Sequence, residues 1–294
     1  MLRFFDCDIG VLAAGVGLPT AKTSAELLKL LDHYAIERAM VYDRGAAESG
    51  VFDSFDRILR FCHGNSRLLP TIPVAPPATG ESPPPDELIG ILREKKIAGV
   101  RVWPKLHGFN FNAHVFGPLF TVLERHRVPV LYQSMALQDF PWEHRSDWEG
   151  IREVATAFPR LPLIVVYTGM LENRRIFPVL EACPNVLTDL TCASFQYLET
   201  VVARFGSRRL VLASHLPQFD PALQTTWFSY SGVPEPARED IAYNTAARLA
   251  EWSQRQPERP IRTVSGSVPT RPLSRETVIT RAQKRKSGGN EVRP

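Results

Sequence analysis

Eight short apolar segments recur along this chain, and each is followed by a stretch with helical periodicity. The segments lie at residues 3–5, 39–42, 69–72, 99–102, 129–132, 163–166, 186–188 and 210–212. Strands that alternate with helices favour a parallel sheet, and eight such units in about 250 residues are typical of a (β/α)8 barrel. The sequence therefore predicts an α/β fold, a (β/α)8 TIM barrel built as a single domain.

The connections between these segments differ in length. Helices are predicted at residues 23–34, 53–63, 85–95, 115–127, 147–158, 171–182, 194–205 and 236–254, and Thr23 or Ser24, Asp147 and Ser194 are suited to cap three of them. Returns from helix to strand are short, whereas several connections after strands are long. The working residues of such a barrel lie on the loops after its strands. A doubly wound open sheet is the competing fold, but no glycine-rich turn follows the first segment.

Charge divides the chain into two parts. The net charge is +4, but residues 257–294 hold nine Lys or Arg against three Glu, a local charge of +6. Residues 1–256, the predicted barrel, therefore carry −2, and we expect no nucleic-acid partner for the barrel. Residues 257–294 are predicted to be a basic, disordered tail, either solvated or in contact with an acidic surface.

Composition also limits the cellular setting. No run of about 18 apolar residues occurs, so no membrane span is predicted. The chain enters its first predicted strand at once, and we expect no secretory signal. The four cysteines form no C-x-x-C pair and are interpreted as reduced thiols of a cytoplasmic protein.

Three polar residues follow the first and eighth segments. Asp6 and Asp8 are two apart on a strand, so both are expected to point into the barrel mouth while Cys7 points away. His215 follows the eighth segment, which neighbours the first in a closed barrel. Two carboxylates beside a histidine raise its pKa, which suits His215 to act as general acid or base with Asp6 or Asp8 orienting its ring. The alternative is that the three residues only hydrogen-bond across the mouth.

Four further residues are candidates for binding a substrate. Gln133 and Tyr167 end the fifth and sixth segments and can hydrogen-bond a ligand, or they can pack at the rim. Arg101 and Lys105 belong to the fourth segment and its loop and can bind a carboxylate or phosphate group. For Lys105, a solvated position on the loop is the competing interpretation.

Several short pieces of the chain, taken in order, resemble the amidohydrolase-related family of the amidohydrolase superfamily. The family's first-strand motif, Asp-x-His-x-His-Ile-Gly, aligns with residues 4–10. Other pieces are similar to the family's sixth, seventh and eighth strands and its final helix, namely residues 166–169, 184–190, 212–217 and 244–249. The resemblance implies a TIM barrel of the kind found in metal-dependent hydrolases and decarboxylases.

The chain departs from that family where the family binds its metal. The resemblance aligns metal-binding histidines with Asp6, Asp8, Gln133 and Tyr167, and a metal-binding aspartate with His215. Zinc prefers imidazole and thiolate donors, whereas carboxylates suit harder cations. We therefore expect no tightly bound zinc, and at most a weakly bound divalent ion such as Mn²⁺ or Mg²⁺ at Asp6, Asp8 and His215.

Two classes of function fit these observations. The first is a hydrolase or decarboxylase-type enzyme that acts on a small polar molecule through a degenerate metal site. The second is a catalytically inactive barrel that binds a ligand or scaffolds a partner. Long loops and a polar mouth favour the enzyme, whereas the substituted metal ligands favour the inactive barrel.

Overall fold

The computed structural model describes residues 2–13, 19–47, 51, 54–133, 146–168, 172–191 and 194–254. The predicted tail at 257–294 and most of the loop after the fifth strand lie outside this set, so the domain boundary at residue 256 stays a prediction. Among the described residues, no helix is long and apolar enough to cross a membrane. The cytoplasmic location stays a prediction.

The described residues contain seven parallel strands, ordered along the sheet as they are along the chain. The strands are β1 (Phe4–Val11), β2 (Ile36–Asp43), β3 (Leu68–Pro73), β4 (Gly99–Val102), β5 (Val130–Gln133), β6 (Leu163–Val166) and β7 (Val186–Thr188). The helices are α1 (Ser24–His33), α2 (Phe55–Cys62), α3 (Pro85–Glu94), α4 (Ala113–His126), α5 (Trp148–Ala157), α6 (Asn173–Ala182), α7 (Phe195–Phe205), α8 (Ala222–Ser229), α9 (Glu235–Glu239) and α10 (Thr245–Ala250). This curled sheet, alternating with helices, confirms the predicted TIM-barrel fold.

The predicted helices agree with the structure except near the end of the barrel. The three predicted caps form, since the side chains of Thr23, Asp147 and Ser194 each accept a hydrogen bond from a backbone amide in the first turn. The last predicted helix is instead divided into α9, a π turn and α10. Helix α8 was not predicted, and it lies in the long connection after the eighth segment.

The eighth segment closes the barrel without forming a regular ladder. Its Val211 amide donates to the Thr188 carbonyl of β7 at 3.0 Å, and its Leu212 carbonyl accepts from the Cys7 amide of β1 at 2.9 Å. His215 then adopts a left-handed backbone conformation with φ of 59°, which interrupts the extended geometry. The predicted eighth strand is therefore an irregular bridge between β7 and β1.

The barrel interior is apolar at the end where the strands begin. One buried cluster joins inward-facing side chains of strands around the barrel, including Phe5, Met40 and Leu131, to Tyr243 and Ala246 near the chain's last helix. The π turn and α10 therefore plug the end of the barrel where the strands begin. Polar groups are gathered at the opposite end.

A register shift in β1 changes which of its side chains face the interior. Asp6 pairs with Ala39 of β2 and Ile9 pairs with Val41, so three steps along β1 match two along β2. The expected alternation is lost at this bulge, and Cys7 packs in the interior cluster. The prediction that Cys7 points away from the interior is wrong for this reason. Burial raises the pKa of its thiol, which disfavours a nucleophilic thiolate.

Candidate functional site

Four ionisable side chains meet at the carboxyl ends of the strands. They come from β1, β4, the end of β7 and the eighth segment, and they are Asp8, Arg101, Asp189 and His215. His215 is 3% exposed and the other three are fully buried. We call this set the mouth network.

His215 lies at the centre of the mouth network. Its Nδ1 donates to Oδ2 of Asp8, and its Nε2 lies 2.7 Å from Oδ2 of Asp189. The Thr191 hydroxyl is 2.5 Å from the same Nε2 and donates to Asp189 Oδ2 at 2.6 Å. Both ring nitrogens therefore face carboxylates, an arrangement that favours the doubly protonated, cationic ring.

Arg101 extends the network on the other side of Asp8. Its Nη2 lies 2.5 Å from Oδ1 of Asp8 and 3.3 Å from the Cys7 carbonyl oxygen. Its Nε donates to the Thr71 hydroxyl at 2.9 Å. Charges of opposite sign thus alternate from Arg101 through Asp8 and His215 to Asp189.

The pKa values of the network follow from these contacts. Burial alone would lower the pKa of His215, but the charge of Asp8 and the hydrogen bonds to Asp189 and Asp8 outweigh it and raise the pKa to about 9. Burial would raise the pKa of Asp8, yet Arg101 and His215 hold it below its usual value. The pKa of Asp189 is also lowered, because hydrogen bonding and charge from His215 overcome its burial.

Asp6 differs from Asp8 although both are fully buried. Its Oδ1 accepts hydrogen bonds from the backbone amides of Asp8, at 2.9 Å, and Ser214, at 3.0 Å. Its Oδ2 has no hydrogen-bond partner among the described residues. Burial raises the pKa of Asp6 more than these bonds lower it. The structure therefore places Asp8 against His215 and leaves Asp6 bound to the backbone beside the network.

The four predicted substrate-binding residues occupy different environments. Gln133 is buried and accepts a hydrogen bond from the Trp103 indole at 3.0 Å. The Tyr167 ring packs beside His215 with centroids 4.4 Å apart. Arg101 belongs to the mouth network, whereas Lys105 is exposed on the turn after β4.

Two site residues were missed by sequence reasoning. Asp189 follows β7 directly, so the rule that identified His215 and Asp8 could have found it. Thr191 lies two residues further on and carries no comparable signal.

The backbone geometry near His215 is also unusual. Tyr167 and His215 both have positive φ, of 65° and 59°. Non-glycine residues adopt this conformation at a cost of about 1–3 kcal/mol and are concentrated at functional sites.

The barrel and its polar mouth define the class to which this protein belongs. The family model described as Amidohydrolase matches residues 19–250, and the chain therefore belongs to that family. The match begins after the first-strand positions of Asp6 and Asp8. No curated protein sequence matches this chain.

Solved structures show the same fold at low sequence identity. An uncharacterized TIM-barrel protein from Bordetella bronchiseptica has a TM-score of 0.70 and 16% identity, covering 86% of this chain and 100% of its own. A 2,6-dihydroxybenzoate decarboxylase from Rhizobium has a TM-score of 0.64 and 15% identity, covering 85% and 99%. A dihydroxybenzoic acid decarboxylase from Polaromonas, solved with bound manganese and an inhibitor, has a TM-score of 0.66 and 13% identity, covering 85% and 97%.

The donors at this chain's mouth do not fit a tightly held divalent metal. Both nitrogens of His215 and both oxygens of Asp8 already face charged partners within the network. Asp189 accepts from His215, Thr191 and Thr168 as well as from backbone. Among the described residues, no three His, Cys, Asp or Glu side chains form a metal-binding group. Weak binding of a divalent ion stays a prediction.

Proposed function

We propose that this protein is an enzyme of the amidohydrolase-related class, of hydrolase or decarboxylase type, that acts on a small polar molecule without tightly bound zinc. The observation that carries this proposal is the position of His215, buried at the barrel mouth between Asp8 and Asp189. Stability alone gives a weak reason to bury such a set of charges, because apolar residues of similar volume are often as stabilising or more so.

In this proposal His215 is the central acid–base residue. With a pKa of about 9 it is protonated near neutral pH, so it acts first as a general acid rather than as a base. Asp8 orients the ring through Nδ1, and Arg101 holds Asp8 in place. Asp6, whose raised pKa favours the neutral acid, is the second candidate for proton transfer.

Substrate contacts are assigned to residues around the network. Tyr167 packs against the His215 ring, and Gln133 is fixed by Trp103, so both can present polar atoms to a bound molecule. Arg101 retains a buried Nη1 with no hydrogen-bond partner among the described residues. Lys105, exposed on its turn, would contact only a ligand that extends out of the mouth.

A catalytically inactive, ligand-binding barrel is the second candidate. One observation favours it: the polar atoms of His215 are all engaged by neighbours, so no ring proton points to an open acceptor. In that case the mouth network would serve only to hold β1, β4, β7 and the eighth segment together.

An activity screen with two matched variants separates the candidates. Small carboxylic acids, amides and lactones are incubated with the wild type, with His215→Asn and with His63→Asn, whose histidine is exposed after α2. We expect turnover that falls about 10²–10⁴-fold in His215→Asn and is unchanged in His63→Asn. Turnover that survives His215→Asn would refute the assigned role, and a complete lack of turnover would favour the inactive barrel.

Elemental analysis of protein purified without chelators tests the metal part of the proposal. We expect less than stoichiometric zinc, with any Mn²⁺ or Mg²⁺ removed by dialysis, because the mouth carboxylates are already paired with cations. One equivalent of zinc that survives extensive dialysis would contradict it.

A further inference from the structure

A second buried arginine lies at the barrel mouth outside the mouth network. Arg44 begins the short 3-10 turn Arg44–Ala47 that directly follows β2, and only 2% of its surface is exposed. Its Nε and Nη1 are buried and have no hydrogen-bond partner among the described residues. The adjacent Asp43 does not pair with Arg44, because its carboxylate accepts a hydrogen bond from Nε of Arg57 at 2.6 Å.

Packing on β1 helps to hold Arg44 in this position. A Cβ atom added to Gly10 would lie 2.5 Å from Cγ of Arg44 and 2.9 Å from its Cδ. The aliphatic stem of Arg44 therefore passes directly over the glycine, where a larger residue would displace it. The Gly10 amide is itself fixed by a 2.7 Å hydrogen bond to the Leu216 carbonyl, next to the segment that carries His215.

Arg101 contributes a second unsatisfied donor close by. Its Nη1 also lacks a hydrogen-bond partner among the described residues, and its guanidinium lies 4.0 Å above the centre of the Tyr42 ring. Arg44 also lies near Tyr42, since the Cβ atom added to Gly10 would be 3.0 Å from Cζ of Tyr42 as well as 2.5 Å from Cγ of Arg44. Trp103 packs on Tyr42 with centroids 5.7 Å apart. Tyr42 thus neighbours both the guanidinium group of Arg101 and the aliphatic stem of Arg44 beside the mouth network.

These donors point to a ligand because leaving them unpaired is unfavourable. A buried polar group without a partner costs about 1–3 kcal/mol, and a charged group more. The negative charges of Asp8 and Asp189 are already matched by Arg101 and His215. Among the residues that the structure describes, Arg44 therefore has no paired carboxylate, and a monoanion supplies the one negative charge that would balance it. Guanidinium groups bind planar carboxylates with several parallel hydrogen bonds.

We propose that Arg44, together with Nη1 of Arg101, forms a subsite at the barrel mouth that binds the carboxylate group of a small ligand. This inference deepens the proposed function by naming the substrate class, but binding at the subsite does not require turnover. Gly10 makes room for the stem of Arg44, and the bound carboxylate lies on the β1–β2 side of His215.

Calorimetric titration with benzoate, benzamide and inorganic phosphate tests the subsite. We expect benzoate to bind the wild type, and benzamide, which has nearly the same shape but no charge, to bind at least tenfold more weakly. Arg44→Gln and Gly10→Ala should each weaken benzoate at least tenfold, and Arg44→Lys should weaken it less. Arg208→Gln, an exposed arginine at the opposite end of the barrel, should bind as the wild type does.

Thermal unfolding without added anion checks that the variants remain folded. If Arg44 lacks a partner in the protein, Arg44→Gln should melt at or above the wild-type temperature, whereas an internally satisfied arginine would melt lower when replaced. Failure of benzoate to bind, equal binding to Arg44→Gln, or binding of phosphate in preference to benzoate would each overturn the proposal. His215→Asn should still bind benzoate, so loss of turnover and loss of the subsite are distinguishable.

Discussion

The two ends of the barrel differ in how far their ion pairs are exposed to solvent. At the end where the strands begin, ion pairs are exposed: Arg3 and Glu37 are 58% and 45% exposed at 3.5 Å, and the interior there is filled by apolar groups and by Tyr243. At the mouth, Arg101 and Asp8 form a pair that is completely buried. The first end resembles an ordinary hydrophobic core, and the second removes several charges from water.

This difference separates what the fold needs from what the site adds. Burying an ion costs several kcal/mol even after relaxation, and attraction between the partners returns that free energy only when their geometry is good. The apolar end needs no such compensation, because burial there is favourable by itself. A network that could be replaced by apolar residues without loss of folding is most simply retained for binding or chemistry.

The largest effect is expected from breaking the buried charge pairs. Asp8→Asn leaves Arg101 and His215 without their shared counter-charge, and we expect the free energy of unfolding to fall by about 3–5 kcal/mol. Urea unfolding measures the change. Glu251→Gln is the control at the opposite end, where the partly exposed pair with Arg38 at 3.8 Å should contribute less than about 1 kcal/mol. Similar losses in the two variants would remove the contrast between the ends.

Sequence reasoning predicted the fold better than the site, and particular residues show why. The order of strands and helices follows from apolar periodicity and from caps such as Asp147, which are local signals. The apolar eighth segment indicated burial correctly but could not reveal that the segment forms no regular ladder or that His215 adopts a positive φ. The bulge between Asp6 and Ile9 depends on the register with β2, so it leaves no mark on β1 alone.

For the candidate site, the expectation that polar residues lie near the carboxyl ends of strands singled out Asp8, Arg101 and His215 before any geometry was known. The same rule covers Asp189 and Arg44, which directly follow β7 and β2 but were not singled out. Their importance depends on contacts made by other strands: His215 for Asp189, and Gly10 for Arg44. Such contacts between segments far apart in sequence are not visible in a single strand's pattern.

The second prediction is that His215 at the mouth makes stability depend on pH between about 6.5 and 9. The folded pKa of His215, about 9, is above its unfolded value of about 6.5, so its contribution is complete below pH 6.5 and is lost as pH rises through 9. The loss should be on the order of 3 kcal/mol. In acid, the lowered pKa values of Asp8 and Asp189 remove stability as pH falls through them, below the usual 3.8.

Unfolding free energies measured from pH 6 to 10 test this assignment. His215→Asn should flatten the alkaline slope. Trp252→Phe, which alters a fully buried residue whose indole donates to the Ile97 carbonyl at 2.9 Å, should lower stability equally at every pH. A slope that persists in His215→Asn would assign the pH dependence to another group and weaken the contrast between the two ends.

The smallest effect is expected at Thr191, and it tests how far the network depends on charge. Thr191→Val removes a hydroxyl that lies 2.5 Å from His215 Nε2 and donates to Asp189 at 2.6 Å, with little change in volume. Because the carboxylates of Asp8 and Asp189 remain, His215 should stay protonated at neutral pH, and the loss of stability should be about 1 kcal/mol, as for one hydrogen bond. Nitrogen chemical shifts of the ring report its protonation, and urea unfolding reports the stability. A His215 that titrates near 6.5 in this variant would mean that the hydroxyl, rather than the paired carboxylates, maintains the cation.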